Sequence, residues 1–488
     1  MVPLKFERDI FGKLLAIALN NKIDLEECFS YPLSPLPPAL CHNTGEMMKT
    51  EKSALAKKLR SLDNSSPPSS PDVWIIDGFY FLHSLVNQTI PDTFHKLSEI
   101  ILQKICNISV QEIHLVFDRY LSPSIKDKER EKRQEEEIPF EITGPLQRPP
   151  SDFTKKLKNR KFKEAIVSYL AINWNNDEFG AIIGGKKIYL TLNEKCYSFV
   201  RNDQKVEKKE ELNFECYHEE ADTRVIFHAA QLQNQREIVI YASDTDILII
   251  ALANIHKLEE KNIYLVSRGA PGQRYDMNCI NCTKLSNILG QTLCRALPAF
   301  HAFTGCDYTA SFYRQGKVKP FNLLKKDKHF QNAFENLNEQ FNLSDKQTTN
   351  AIEEFTVSMY GIKHCQSVNS ARLLLFQKSF ATSHNTKHFL NKVKTYNSNT
   401  IPPCWKTIKQ KILRTTYIAS MWLNATQKHC VKLSATEYGW TLNNGQYEPL
   451  WFDGEPTPLH VDDIVINSED EGSDNFTSDD DENDYLSS

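Results

Sequence analysis

The run IVIYASDTDIL at residues 238–248 constrains this chain more than any other stretch. Its β-branched apolar residues are those of a buried strand, and the run stops at Ser243 with Asp244 and Asp246 just beyond it. In an open parallel sheet the ligand crevice lies at the carboxyl ends of the strands, where acidic groups can share a hard cation through oxygen ligands. Taken alone, Asp-x-Asp also suits a helix N-cap or a turn, and a sugar-nucleotide transferase would carry it too.

Four further breaks between an apolar run and a loop or helix hold acids: VWIIDGF with Asp77, IHLVFDRY with Asp118, YHEEADTR with Glu219, Glu220 and Asp222, and FTGCDYT with Asp307. In order and local wording these segments resemble the flap-endonuclease and XPG branch of the PIN-like nucleases. There a strand-end Asp, a VFD, an acidic pair one residue apart, a DxD and a GCDY follow one another. The resemblance spans about residues 72–325, over half the chain. More narrowly, HEEADTR, SDTD and ALPAFHAFTGCDYT, with YGW near residue 440, look like a group of invertebrate proteins often associated with mobile elements.

The resemblance implies an α/β fold: a PIN/flap-endonuclease-like core with a mainly parallel sheet flanked by helices, followed by a helical C-terminal region and a disordered acidic tail. It implies that Asp77, Asp118, Glu220, Asp222, Asp244, Asp246 and Asp307 are catalytic and hold two Mg2+ or Mn2+ ions. So many carboxylates in one pocket stay ionised only when cations compensate them. Because Mg2+ keeps several waters, some of the seven are expected to act through water. Glu219 competes with Glu220 for one of these places.

In flap endonucleases a basic helix after the VFD aspartate touches the scissile phosphate, and Lys126, Arg130 and Arg133 resemble its cations. Lys126 and Arg133 stand seven residues apart, about two turns along one helical face. The interleaved charges of SIKDKEREKRQEEE also suit a plain solvated helix. Gly316, Lys317 and Lys319 lie where the family grips duplex backbone through a helix-turn-helix, its Gly-x-Gly turn reduced here to Gly316 alone. DNA or RNA is the expected partner.

Charge supports a polyanionic partner. After Lys432 there are 15 acidic residues and no Lys or Arg, so an overall charge of −4 leaves +11 on the first 432 residues. The tail also serves solubility. No uninterrupted apolar run is long enough for a membrane span, and the charged start MVPLKFERDIFGKLL is not a secretory leader, so an intracellular protein is expected. The basic KNRKFK run at Lys158–Lys163 slightly favours the nucleus over the cytoplasm. Twelve scattered cysteines fit reduced thiols, and Cys279 and Cys282 offer at most half of a zinc site.

Four segments are expected: an N-terminal helical lead with a Pro/Ser-rich linker (1–71), the nuclease-like core (72–330), a helical cap with a small module (331–466), and the acidic tail (467–488). Within the core, 124–165 reads as a charged gateway, arch or linker insertion, and IIGGKKIYLTL with CYSFV reads as a hairpin turning at Gly184–Gly185. Two other readings stay open: a nucleic-acid-binding scaffold of the same fold without catalysis, and the transferase.

Overall fold

A computed structural model describes residues 24–63, 65–85, 90–132, 138–233, 237–258, 260–268, 277–363, 365, 367–380 and 397–458. Arg133 and the acidic tail lie outside these residues.

The apolar runs become strands of one sheet: β1 (Val73–Asp77), β2 (Glu112–Val116), β3 (Lys187–Leu192), β4 (Lys195–Asn202), β5 (Lys205–Glu210), β6 (Glu237–Tyr241), β7 (Asn262–Ser267) and β8 (Asn278–Asn281). Their order is β5-β4-β3-β2-β1-β6-β7-β8. The five central strands β3, β2, β1, β6 and β7 are parallel, and the edges are antiparallel. From β1 the chain winds outward through β2 to β3, then returns to the other side of β1 for β6. The winding therefore reverses between β1 and β6, where the helices leaving the two strands diverge and open a crevice at their carboxyl ends.

Strand alternation sorts the core into two layers. Ile75 and Val116 face one layer with the helices Ala221–Gln231, Thr245–Asn254 and Gln291–Phe303. Ile76 and Leu115 face the other, with Gly78–Leu85, Phe94–Cys106 and Arg160–Asn173. Every residue of the Thr245–Asn254 helix is buried, because the helices Gln291–Phe303 and Trp405–Leu423 cover the side that the sheet does not. A separate pair, β9 (Trp440–Asn443) and β10 (Gln446–Pro449), forms an antiparallel hairpin.

Several expectations change. The β3–β4 hairpin turns at Asn193–Glu194, with Asn193 in the left-handed region, while Gly184 and Gly185 precede β3. Polar Asn tolerates that conformation, so the glycine pair was the wrong turn signal. Residues 282–303 form two helices, Cys282–Leu289 and Gln291–Phe303, parted by Gly290 at φ +82°. Residues 39–60 are no detached lead: Leu40, Leu55 and Leu59 are buried in the same layer as β1, and Ser311 N donates to the Met48 carbonyl at 2.8 Å. The 138–152 stretch is not an arch. Phe140 packs on Phe94 and Phe162, and Phe94 N donates to the Gln147 carbonyl at 2.9 Å.

Candidate metal centre

Three acids sit where strands hand over to helices. Asp77 ends β1, and its Oδ1 accepts from Tyr80 N at 3.1 Å, at the start of the Gly78–Leu85 helix. Gly78 is required there, since a Cβ would meet the Phe117 ring at 2.4 Å. Asp118 follows β2, and its Oδ1 accepts from Ala221 N at 2.7 Å, at the head of the Ala221–Gln231 helix. Asp244 follows β6 as the N-cap of the Thr245–Asn254 helix, accepting from Asp246 N at 2.9 Å. The capping and metal readings of these acids are thus compatible, because each carboxylate has a second oxygen. Three helix N-termini, each with a partial positive charge, converge on the same crevice.

Glu220 stands at the N-cap position of the Ala221–Gln231 helix and Asp222 in its first turn. Asp307 is delivered by the turn after Phe303, where Gly305 holds φ +107° and a Cβ would lie 2.6 Å from that of Ser311. Asp77, Asp118, Glu220, Asp222, Asp244 and Asp307 line one cavity of about 280 Å³, together with Lys126, Arg130, Lys163, Tyr80 and Tyr120. Asp246 is fully buried behind it. One oxygen each from Asp222, Asp244 and Asp246 lie within 4.8 Å of one another. Octahedral Mg2+ ligands stand about 2.1 Å from the ion, hence up to roughly 4.2 Å apart, so this hard-oxygen set fits such an ion after small side-chain movements.

The structure places cations unevenly among these acids. The Lys52 Nζ lies 3.2 Å from Asp244 Oδ1, 3.2 Å from Asp246 Oδ2 and 3.1 Å from Asp307 Oδ1. Asp246 and Asp307 are therefore neighbours across one ammonium. Lys126 pairs with Glu220, and Arg130 Nη2 donates to Glu220 Oε1 at 2.9 Å and lies 2.7 Å from Glu219 Oε1 as an ion pair. Glu220, rather than Glu219, reaches the cavity wall. Among the described residues no Lys or Arg pairs directly with Asp77, Asp118 or Asp222.

Proton affinities follow this distribution. Burial, then the neighbouring Asp118 carboxylate, pushes the Asp77 acid up to about 7. Burial and Glu220 raise Asp118, burial and Asp244 raise Asp222 well above the usual range, and burial and Asp246 raise Asp244. For Asp246 burial opposes ionisation, yet Lys52 and the His301 hydrogen bond hold it well below the usual range. Against burial, Lys126 and Arg130 hold Glu220 low. Burial, then Lys317, brings His301 down to about 4, so a neutral imidazole donates Nε2–H to Asp246 Oδ1 at 2.9 Å.

Of the residues expected to hold nucleic acid, Lys126 and Arg130 reach the cavity but are engaged by glutamates. Lys126 comes just before the Asp127–Lys132 helix and also lies 4.7 Å from the Tyr308 ring centroid. Lys317 is a correction: its amine donates to the His301 carbonyl at 2.7 Å and Thr304 Oγ1 at 2.8 Å, and it is buried, out of reach of a phosphate at the surface. The Lys319 amine caps the Met359 carbonyl at 2.7 Å. Gly316 precedes the Val318–Lys326 helix instead of linking it to Lys328–Asn336, a junction made by Asp327, so no glycine turn presents amides there. The thiols of Cys279 and Cys282 are buried, with burial pushing Cys279 up to about 11, and they join no group of potential metal ligands among the described residues.

Sequence reasoning missed Lys52, Lys163 and the role of His301. Lys163 had a partial signal in the basic 158–163 run; it lies 5.2 Å from the Phe79 ring centroid on the cavity wall. Lys52 had none. No helix among the described residues is long and apolar enough to cross a membrane. No protein-family model matches the sequence, and no curated protein matches it as a relative.

Proposed function

We propose that the chain is a divalent-metal-dependent nuclease of the PIN-like, flap-endonuclease type, hydrolysing phosphodiester bonds in DNA or RNA. The observation that supports this most is convergence: seven acids from five separate chain segments meet at the carboxyl edge of a parallel sheet, at its winding reversal. When bound, Mg2+ or Mn2+ activates a water and neutralises charge at the scissile phosphate. Asp222, Asp244 and Asp246 would hold it, with Asp77 and Asp118 oriented beside them by their helix-capping bonds. Lys126, Arg130 and Lys163 line the same cavity and would orient the phosphodiester. The water gives up a proton to solvent as its oxygen bonds to phosphorus, the bond to the leaving oxygen breaks, and that oxygen takes up a proton from solvent.

Hydrolysis of labelled flap, single-stranded and hairpin substrates with Mn2+ tests the reading. Asp222→Asn and Asp244→Asn are expected to lower the rate by about 100-fold or more. Equal cleavage by wild type and both variants would overturn it. One observation favours the non-catalytic scaffold instead: Lys52, Lys126 and Arg130 already neutralise part of the cluster. Tight nucleic-acid binding with no Mn2+-dependent cleavage on any of these substrates would select that reading. A sugar-nucleotide transferase relying on Asp244 and Asp246 leaves the placement of Asp77, Asp118 and Asp307 without a role.

A further inference from the structure

The Lys52 ammonium lies among acids that the nuclease reading assigns to cations. Its place is built: it opens the Ser53–Arg60 helix, which Leu55 and Leu59 anchor in the core at 0% exposure, packed against the Thr245–Asn254 and Val318–Lys326 helices. The preceding strand of chain is pinned by the Met48 carbonyl bond to Ser311 N and by Lys49, whose Nζ is 2.6 Å from Glu129 Oε2. The amine is thus delivered by a packed scaffold to three carboxylates at 3.1–3.2 Å.

Two cations in a phosphoryl-transfer site stand about 3.5–4 Å apart and share a bridging carboxylate. Asp244 has that position here. It meets the Lys52 ammonium, and it also groups with Asp222 and Asp246 at the cavity that Asp77 and Asp118 line. A divalent ion centred among Asp244, Asp246 and Asp307 would have to enter the volume of the ammonium, where two positive charges in contact repel strongly. The remaining acids, Asp77, Asp118 and Asp222, have no direct cationic partner among the described residues.

We propose that Lys52 permanently fills one of two cation positions in this site, so that the protein takes a single divalent ion, at the Asp222, Asp244 and Asp246 group beside Asp77 and Asp118. The inference rests on the metal-dependent nuclease reading and revises its expected count of two ions. Lys52 is then a positioning residue: its fixed charge ties Asp244, Asp246 and Asp307 together in place of a second metal.

Calorimetric titration of the full chain with Mn2+, checked by the paramagnetic signal of free Mn2+, reads the stoichiometry directly and independently of catalysis. Wild type is expected to bind one ion, and Lys52→Met, which keeps most of the side-chain volume, is expected to bind two. Two ions on wild type, or a Lys52→Met protein that still binds one, would overturn the inference and leave the nuclease reading standing. No Mn2+ binding by wild type would overturn both. If Lys52→Met does not fold, Lys52→Gln is titrated in its place, with the same two ions expected, and the wild-type count alone still decides against the inference if it is two.

Discussion

The two sides of the cavity are built from the same residue types at similar depth, and they hold protons in opposite ways. Asp246 and Glu220 are each faced by a cation, Lys52 for one and Lys126 with Arg130 for the other, and both are held ionised. Asp77, Asp118 and Asp222 have other carboxylates as their nearest charged neighbours, Asp118, Glu220 and Asp244 respectively, and with burial these raise their acids. Burial makes any charge expensive; the neighbour decides whether that expense is offset. The contrast separates acids already built into the fold from those with affinity left for something that is added.

The largest expected effect lies on the compensated side. Asp246→Ala removes a buried carboxylate that accepts from both Lys52 and His301, leaving Lys52 to Asp244 and Asp307 and the His301 donor without an acceptor, and should lower stability by about 3–5 kcal/mol in chemical denaturation at neutral pH. Asp222→Asn removes repulsion and no hydrogen bond, so metal-free stability should hold or rise. Losses of similar size in both variants would break the contrast. Next comes pH dependence in chelator. Asp77 has a folded-state value of about 7 against an ordinary 3.8, so between those limits the folded state binds more protons than the unfolded one. Stability from this group therefore falls as pH climbs through that window and levels off above it. Asp77→Asn, or saturating Mn2+, should flatten the slope, and an unchanged slope in the variant would remove Asp77 from the uncompensated set.

Glu220 has the opposite sign. Its contribution is present above the ordinary carboxylate range and is lost as pH falls below it, so Glu220→Gln should weaken the acid-side loss of stability. The smallest effects belong to the basic residues downstream. Lys317→Met should cost about 1–3 kcal/mol by leaving a buried carbonyl and hydroxyl without their donor. It should leave the salt dependence of nucleic-acid binding unchanged, whereas Lys163→Met should reduce that slope by about one. The reverse pattern would return Lys317 to the binding surface.

How legible each part was depends on the range of the interactions that place it. Asp77 and Asp244 are set by local chemistry, an apolar strand ending in a polar cap, and that pattern is written in consecutive residues, while Asp118 shares the strand end but caps a helix 103 residues on. The parallel order of the central strands follows from their alternation with helices. Lys52 meets Asp244 across 192 residues, and nothing in MMKTEKSALAKKLR distinguishes it from the other lysines there. Lys317 read as a phosphate ligand because a sequence shows charge but not direction, and its side chain turns inward. The hairpin turn was misplaced for a simpler reason: two adjacent glycines outweighed an asparagine able to take the same left-handed backbone.

The capping bonds of Asp77, Asp118 and Asp244 have a consequence for how related chains are read. An aspartate that starts a helix stays useful to folding after its chemistry has gone, so a descendant that no longer cuts anything would still be expected to keep all three. Asp222 has no such second employment: among the described residues it makes no hydrogen bond or ion pair. A relative that retained the other six acids but had lost this one would mark the point at which an enzyme became a scaffold.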